Sequence, residues 1–132
     1  MSTAHARKKL KILVCDDEEG VRRSLKLILS TAYDVCVAKN GFEALRMLKE
    51  CSPIAVFLDI KMPKRHGLAV LQEMHALKPE VPVIIISGYQ SVDLANEAFK
   101  SGAVNYIPKP FSSKQILSAV ERLLPSDPPP SL

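Results

Sequence analysis

The sequence predicts a doubly wound α/β domain built on one five-stranded parallel sheet. Short apolar runs recur at 10–15, 34–38, 54–58, 83–86 and 104–107. After each run, apolar residues return at helical spacing. Runs that stay apolar on successive residues suit strands covered on both faces, the arrangement of parallel sheets flanked by helices. The pattern repeats but the sequence does not, so this is one domain, not an array.

In order, Leu10 to Cys15 is the first strand, and it ends in Asp16-Asp17-Glu18-Glu19. Val21, Leu25, Ile28 and Leu29 then mark a helix, with acids at its front and bases further along, as its dipole favours. Asp34 to Ala38 is a second strand. Asn40-Gly41-Phe42-Glu43 resembles a capping box for a helix with Ala44, Leu45 and Leu48 inward. Ile54 to Leu58 is the third strand, closed by Asp59. Gly67 to Leu77 is a helix with Leu68, Leu71, Met74 and Leu77 inward. Val83 to Ile86 is a fourth strand, stopping at Ser87-Gly88. A helix from Val92 to Lys100 ends at Gly102. Val104 to Ile107 is the fifth strand, broken by Pro108-Lys109-Pro110-Phe111. Ser112 and Gln115 open a last helix with Ile116, Ala119, Val120 and Leu123 inward. The expected organisation is a basic tail over 1–9, one domain over 10–125 and a proline-rich tail or linker over 126–132.

Composition narrows the classes. At 132 residues and 47% hydrophobic, the chain has room for a single core and is not of the disordered class. No apolar run approaches membrane-spanning length, and the first residues carry no secretion-type segment, so the expected location is cytoplasmic with no membrane partner. The net charge of +4 is concentrated in a tail with Arg7, Lys8, Lys9 and Lys11. With only 5% aromatic residues, stacking platforms are few, and no direct nucleic-acid contact is expected. Cys15, Cys36 and Cys51 are odd in number and lack metal-type spacing; Cys15 and Cys36 fall in strands and read as small core residues.

Val56-Phe57-Leu58-Asp59-Ile60-Lys61-Met62-Pro63 is the stretch around which the rest is arranged. An acid inside a buried strand is costly when unpaired. At the strand's exit, with Met62-Pro63 turning the chain away, Asp59 is expected to be presented rather than buried. In a doubly wound sheet, ligands bind beyond the carboxyl ends of the strands. There the first strand supplies Asp16 and Asp17, the third Asp59, the fourth Ser87 and the fifth Lys109. Clustered carboxylates stay ionised only with a cation among them. Hard oxygen ligands in an open site suit Mg2+, and no His/Cys grouping suggests zinc. Asp59 could then attack a phosphoryl group, with Ser87 and Lys109 contacting its oxygens. Taken singly, Asp59 reads equally well as a loop cap, Ser87 as a turn residue and Lys109 as a snorkelling surface lysine. Their convergence on one edge favours the chemical reading.

From about Lys11 to Leu124 the chain resembles the receiver domain of bacterial two-component response regulators. The matching pieces are Val14-Cys15-Asp16-Asp17-Glu18, Leu58-Asp59-Ile60-Lys61-Met62-Pro63, Ile86-Ser87-Gly88, Ser101-Gly102-Ala103 and Lys109-Pro110-Phe111, in family order. The resemblance implies a flavodoxin-like strand order 2-1-3-4-5 and a cis Lys109-Pro110 bond. It implies that Asp59 accepts a phosphoryl group from a sensor histidine kinase or phosphotransfer protein. Asp17, Asp59 and the Lys61 carbonyl would ligate Mg2+, with Asp16 acting through a water. Ser87 and Tyr106 would be the switch pair, and Lys109 the phosphate-binding lysine. Phosphorylation would then remodel the face of the fourth helix, fifth strand and fifth helix, to be read by an output domain, a partner or a second copy in a homodimer. On this view the domain is not an enzyme but assists its own phosphorylation and dephosphorylation. Lys61 and Tyr89 lie where they could slow loss of the phosphoryl group. Ser91-Val92-Asp93, Ala95, Ala98 and Lys100-Ser101-Gly102-Ala103 look like receivers attached to AAA+ transcription activators, which favours a receiver cut from a longer regulator over a stand-alone one.

Four other readings compete. A haloacid-dehalogenase-type phosphatase also uses an aspartate nucleophile, but Lys61 stands where that family's acid would be. A nucleotide-binding module is disfavoured because Gly20, Gly41, Gly67, Gly88 and Gly102 form neither a Walker loop nor a dinucleotide fingerprint. Nucleic-acid binding through the basic tail would show as strongly salt-dependent affinity for DNA. A degenerate receiver working unphosphorylated fits poorly with the complete residue set.

Overall fold

The computed structural model describes residues 10–61, 67–88 and 91–124. The strands are β1 (Lys11–Cys15), β2 (Asp34–Ala38), β3 (Ala55–Asp59), β4 (Val83–Ser87) and β5 (Asn105–Pro108). The helices are α1 (Glu19–Leu29), α2 (Gly41–Cys51), α3 (Gly67–Leu77), α4 (Val92–Lys100) and α5 (Ser113–Glu121). All neighbouring strands pair in parallel, in the order β2-β1-β3-β4-β5. This is the expected doubly wound sheet with the expected strand order.

Alternation along each strand sorts the core into two layers. Leu13, Val56, Leu58, Val83 and Ile85 face α2, α3 and α4, where they meet Ala44, Leu48, Val70, Leu71, Met74 and Ala98. Ile12, Val14, Phe57, Ile84 and Ile86 face α1 and α5, meeting Leu25, Leu29, Ile116 and Val120. The central strands are therefore buried on both sides, which explains their unbroken apolar runs.

Local chemistry sets the helix ends. Ser112 and Gln115 form a reciprocal capping box at the start of α5. At α2, Asn40 accepts from the Glu43 N–H, but the Glu43 carboxylate reaches the Lys39 N–H instead, so the expected box is only half formed. Ser91 caps α4. Gly102 has a φ of 110°, and a Cβ there would press on the His75 ring of α3. Gly67 starts α3 hard against the Ile60 carbonyl, where any Cβ would collide, and its N–H donates to that oxygen. The chain is thereby closed just after Asp59.

Two packing expectations need correction. The helical spacing places Leu77 inward, whereas it is 46% exposed. The inward stripe of α3 runs through Val70, Leu71 and Met74, and Leu77 lies in the final turn, beyond that stripe. Cys36 is not a lone core thiol: it forms a disulfide with Cys51, the last residue of α2, while Cys15 is free and buried. Fifteen positions separate Cys36 and Cys51 in the chain but β2 and α2 pack together, a pairing that spacing alone does not reveal. The bond staples an edge strand to the helix covering it. Opening it should lower unfolding free energy by about 2–3 kcal/mol, the loop-closure contribution for a loop of this size. Urea denaturation with and without a reductant measures this. Alkylation of the unfolded, unreduced chain should label Cys15 alone; identical midpoints, or labelling of all cysteines, would remove the staple from the account.

Candidate functional site

The site forms where β1, β3 and β5 end. Asp16 follows β1 directly and is pinned there through its own main chain. Its N–H donates to the Ala38 carbonyl at 3.1 Å, extending the ladder to β2. Its carbonyl accepts from Arg22 Nη1 at 2.8 Å. Its side chain is wholly buried, and Oδ1 accepts from the Glu18 N–H at 2.9 Å. Asp17 and Glu18 follow in the exposed loop. One carboxylate oxygen each from Asp16, Asp17 and Glu18 lie within 4.8 Å of one another.

Asp59 ends β3, beside Ile86 in the register. It is 3% exposed, so the expectation of a presented, unburied acid is corrected. Burial is tolerated because the carboxylate has partners. Oδ1 accepts from the Lys61 N–H at 3.0 Å, and Oδ2 lies 3.4 Å from Lys109 Nζ. Lys61 itself is exposed. The Met62-Pro63 turn, with the rest of residues 62–66, and Tyr89 lie outside the described residues.

Lys109 follows β5, and its N–H donates to the Ser87 carbonyl at 2.8 Å. This ties the ends of β4 and β5 and aims the lysine across the sheet edge. Its ammonium sits 2.8 Å from Asp16 Oδ2, 3.4 Å from Asp59 Oδ2 and 3.6 Å from Glu18 Oε1. The Lys109-Pro110 bond is cis. Burial works to lower the Lys109 pKa, but the Asp16 contact and the charges of Asp16, Asp59 and Glu18 outweigh it and raise it. Asp16 is also raised. Burial is the main cause and the Asp59 charge adds to it, against the opposing pull of Lys109 and the Glu18 amide.

Ser87 is the last residue of β4 and is wholly buried, not a surface turn residue. It pairs with Pro108, and Ile85 pairs with Tyr106. By the two-residue alternation, Ser87 and Tyr106 therefore share a face, on adjacent strands. That face is the α2–α4 side, where Tyr106 is partly buried.

Asp16, Asp59 and Lys109 are thus in direct contact, with Asp17 adjacent and Ser87 at the next strand end. Two residues escaped the sequence reading. Glu18 belongs to the acidic cluster and pairs with Lys109; the acidic run was visible but gave Glu18 no distinct role. Arg22 reaches back six positions to the end of β1, a contact that no helical periodicity signals.

The acidic loop has the chemistry of a hard-cation site. Asp16 Oδ2 is buried and, despite its 2.8 Å approach to Lys109, lacks a hydrogen bond of acceptable geometry. A wholly buried carboxylate oxygen without a directional donor, next to two further carboxylates, fits Mg2+ better than any softer ion.

Comparison with known proteins defines the class. A family model for the response regulator receiver domain matches residues 12–121, and the chain belongs to that family. Receiver domains are signalling modules of two-component systems. The chain is similar to the regulatory protein AtoC of Escherichia coli, 36% identical over 115 residues, covering 86% of this chain and 25% of AtoC. It is similar to the response regulator MprA of Mycobacterium sp. strain KMS, 35% identical over 116 residues, covering 87% of this chain and 50% of MprA. The chain therefore spans a quarter to a half of these relatives. A solved receiver domain protein from Methanospirillum hungatei JF-1 superposes with a TM-score of 0.82 at 30% identity, over 86% of this chain and 93% of that one. No helix among the described residues is long and apolar enough to cross a membrane.

Proposed function

We propose that this domain is a phosphorylation-activated switch in which Asp59 accepts a phosphoryl group from a phosphohistidine of a sensor kinase or phosphotransfer protein. The observation that carries the reading is Lys109, which joins the carboxylates of Asp16 and Asp59 at one sheet edge. An oxygen of Asp59 attacks phosphorus, an O–P bond forms, the N–P bond breaks, and the imidazole nitrogen leaves with the electron pair. Asp17, Asp59 and the Lys61 carbonyl would hold Mg2+, with Asp16 acting through a water, and the ion would supply positive charge to the phosphoryl oxygens. The Lys61 N–H orients Asp59 through Oδ1. Lys109 is already within reach of the incoming oxygens, and Ser87 donates its hydroxyl to one of them. These groups position and neutralise, which is most of what phosphoryl transfer needs.

Phosphorylation adds about −1.5 to −2 charge and strong acceptor oxygens beside Ser87 and Lys109. Ser87 moves toward them, and Tyr106, on the same face, turns into the space released. The surface of α4, β5 and α5 then changes shape for an output domain, another partner or a second copy of the chain. Val92 and Phe99 on α4, and Val104 just before β5, are exposed apolar side chains, which supports a binding role. The reading also places residues 10–125 as the receiver, 1–9 as a basic tail and 126–132 as a tail or linker, in a cytoplasmic regulator.

Incubation with Mg2+ and a small acyl phosphate should raise the intact mass by one phosphate, and a chelator should prevent it. Steady turnover of phosphate esters without a stable adduct would instead indicate a phosphatase. Once phosphorylated, the protein should lose its phosphate faster in the Lys61→Ala, Tyr89→Ala double variant, because Lys61 is read as a cation that prolongs the acyl phosphate and Tyr89 as a shield against water. An unchanged decay rate, followed by mass over time, would reject that role.

A further inference from the structure

Arg22 lies outside the phosphoacceptor residues, yet it touches the main chain that carries them. The carbonyl of Asp16 points away at a strand end, where a backbone acceptor needs a partner. Arg22 Nη1 supplies it at 2.8 Å, reaching back from the first turns of α1. The contact is specific to this arginine. Its neighbour Arg23 is exposed and pairs with Glu19 at 3.1 Å, one helical turn away. Arg22 is half-buried.

We propose that Arg22 is a positioning residue for the cation site: it fixes the Asp16–Asp17 peptide so that the exposed carboxylate of Asp17 is presented beside that of Asp16. This rests on the receiver reading above and adds a residue to it. Asp16 is already held by three other contacts, to Ala38, Glu18 and Lys109. Asp17 follows on the far side of the peptide whose oxygen Arg22 holds. A free peptide there could rotate and turn the Asp17 carboxylate away without disturbing Asp16.

Charge and position predict opposite signs, which makes the proposal decidable. A guanidinium near a divalent-cation site repels the ion, so its removal should tighten Mg2+ binding if charge were all that mattered. If the hydrogen bond orders the ligands, its removal should weaken binding, as loss of an outer-shell partner commonly does.

The test is calorimetric titration of the unphosphorylated protein with Mg2+, at a temperature where each variant is folded by circular dichroism. Arg22→Met keeps the apolar stem but loses donor and charge, and should weaken Mg2+ binding about tenfold. Arg22→Lys keeps the charge without the planar fork and should recover part of that loss. It also carries the test should Arg22→Met not fold. Arg23→Ala is the control and should match the native chain. Native-like or tighter Mg2+ binding in the Arg22 variants, with the native chain binding normally, overturns the positioning role and leaves the receiver reading intact. A native chain that takes up no Mg2+ overturns both.

Discussion

Asp59→Asn is expected to gain no phosphate from Mg2+ and an acyl phosphate under conditions where the native chain gains one. The substitution is nearly isosteric. Its amide oxygen can still accept from the Lys61 N–H, the contact that Asp59 Oδ1 makes at 3.0 Å. What disappears is an anionic oxygen able to form an O–P bond. The loss should therefore be of chemistry and not of fold, with unfolding free energy changed by no more than about 1 kcal/mol. Asp16, Asp17 and Glu18 remain in the variant, so the experiment also asks whether any nearby carboxylate can substitute. Their setting argues against it. Asp16 is buried and locked by Glu18 and Lys109, whereas Asp17 and Glu18 lie in the exposed loop after β1 and not at the end of β3. A full one-phosphate gain in Asp59→Asn would place the acceptor elsewhere and dismantle the proposed switch.

The architecture was legible because β1, β3 and β4 are apolar on consecutive residues, and a strand of that kind has few places to go but the middle of a covered sheet. The same logic located the site. Polar residues that end such strands collect on one edge, and Asp16, Asp59, Ser87 and Lys109 do. Less legible was how far each side chain is from water. Asp59 and Ser87 read as rim residues but are buried, and the Lys61 N–H and Lys109 close on the Asp59 carboxylate. Whether a strand-end residue is covered depends on loops, whose paths periodicity does not encode. The Cys36–Cys51 bond escaped for a related reason. It joins a strand to a helix end through space, and an odd cysteine count suggested free thiols. Disulfides are also rare where thiols are kept reduced. The bond thus stands in tension with the expected cytoplasmic location, and the proportion oxidised in cells would show which condition the domain meets. Arg22 illustrates a third limit: a long side chain returning to its own strand end obeys neither strand nor helix spacing.

Lys109→Met tests the residue that joins the site's charges. Its ammonium contacts Asp16, Asp59 and Glu18, and the lysine side chain is 17% exposed. Methionine keeps most of the volume and removes the charge. Breaking a fully buried pair costs about 3–5 kcal/mol because it strands the other charge. Here partial exposure screens the pair, and Asp16 can take up a proton, so a loss of about 2 kcal/mol at neutral pH is expected. The pH dependence has a definite sign. Asp16 already titrates above its unfolded value, and losing Lys109, which pulls it down, raises it further. A carboxyl with a raised folded pKa contributes stability at low pH that is lost as pH rises through that folded value. The deficit of Lys109→Met should therefore be smallest in acid and open as pH climbs past the ordinary carboxylate range. Mg2+ should narrow it, since a divalent ion neutralises the same oxygens. Phosphoryl uptake should still fall about 100-fold, because one of the two positive groups proposed to face the phosphoryl oxygens is gone. Urea midpoints across pH, with and without Mg2+, and the rate of mass gain separate these effects. A variant as stable as the native chain at every pH, and phosphorylated at the native rate, would make Lys109 a bystander in the site.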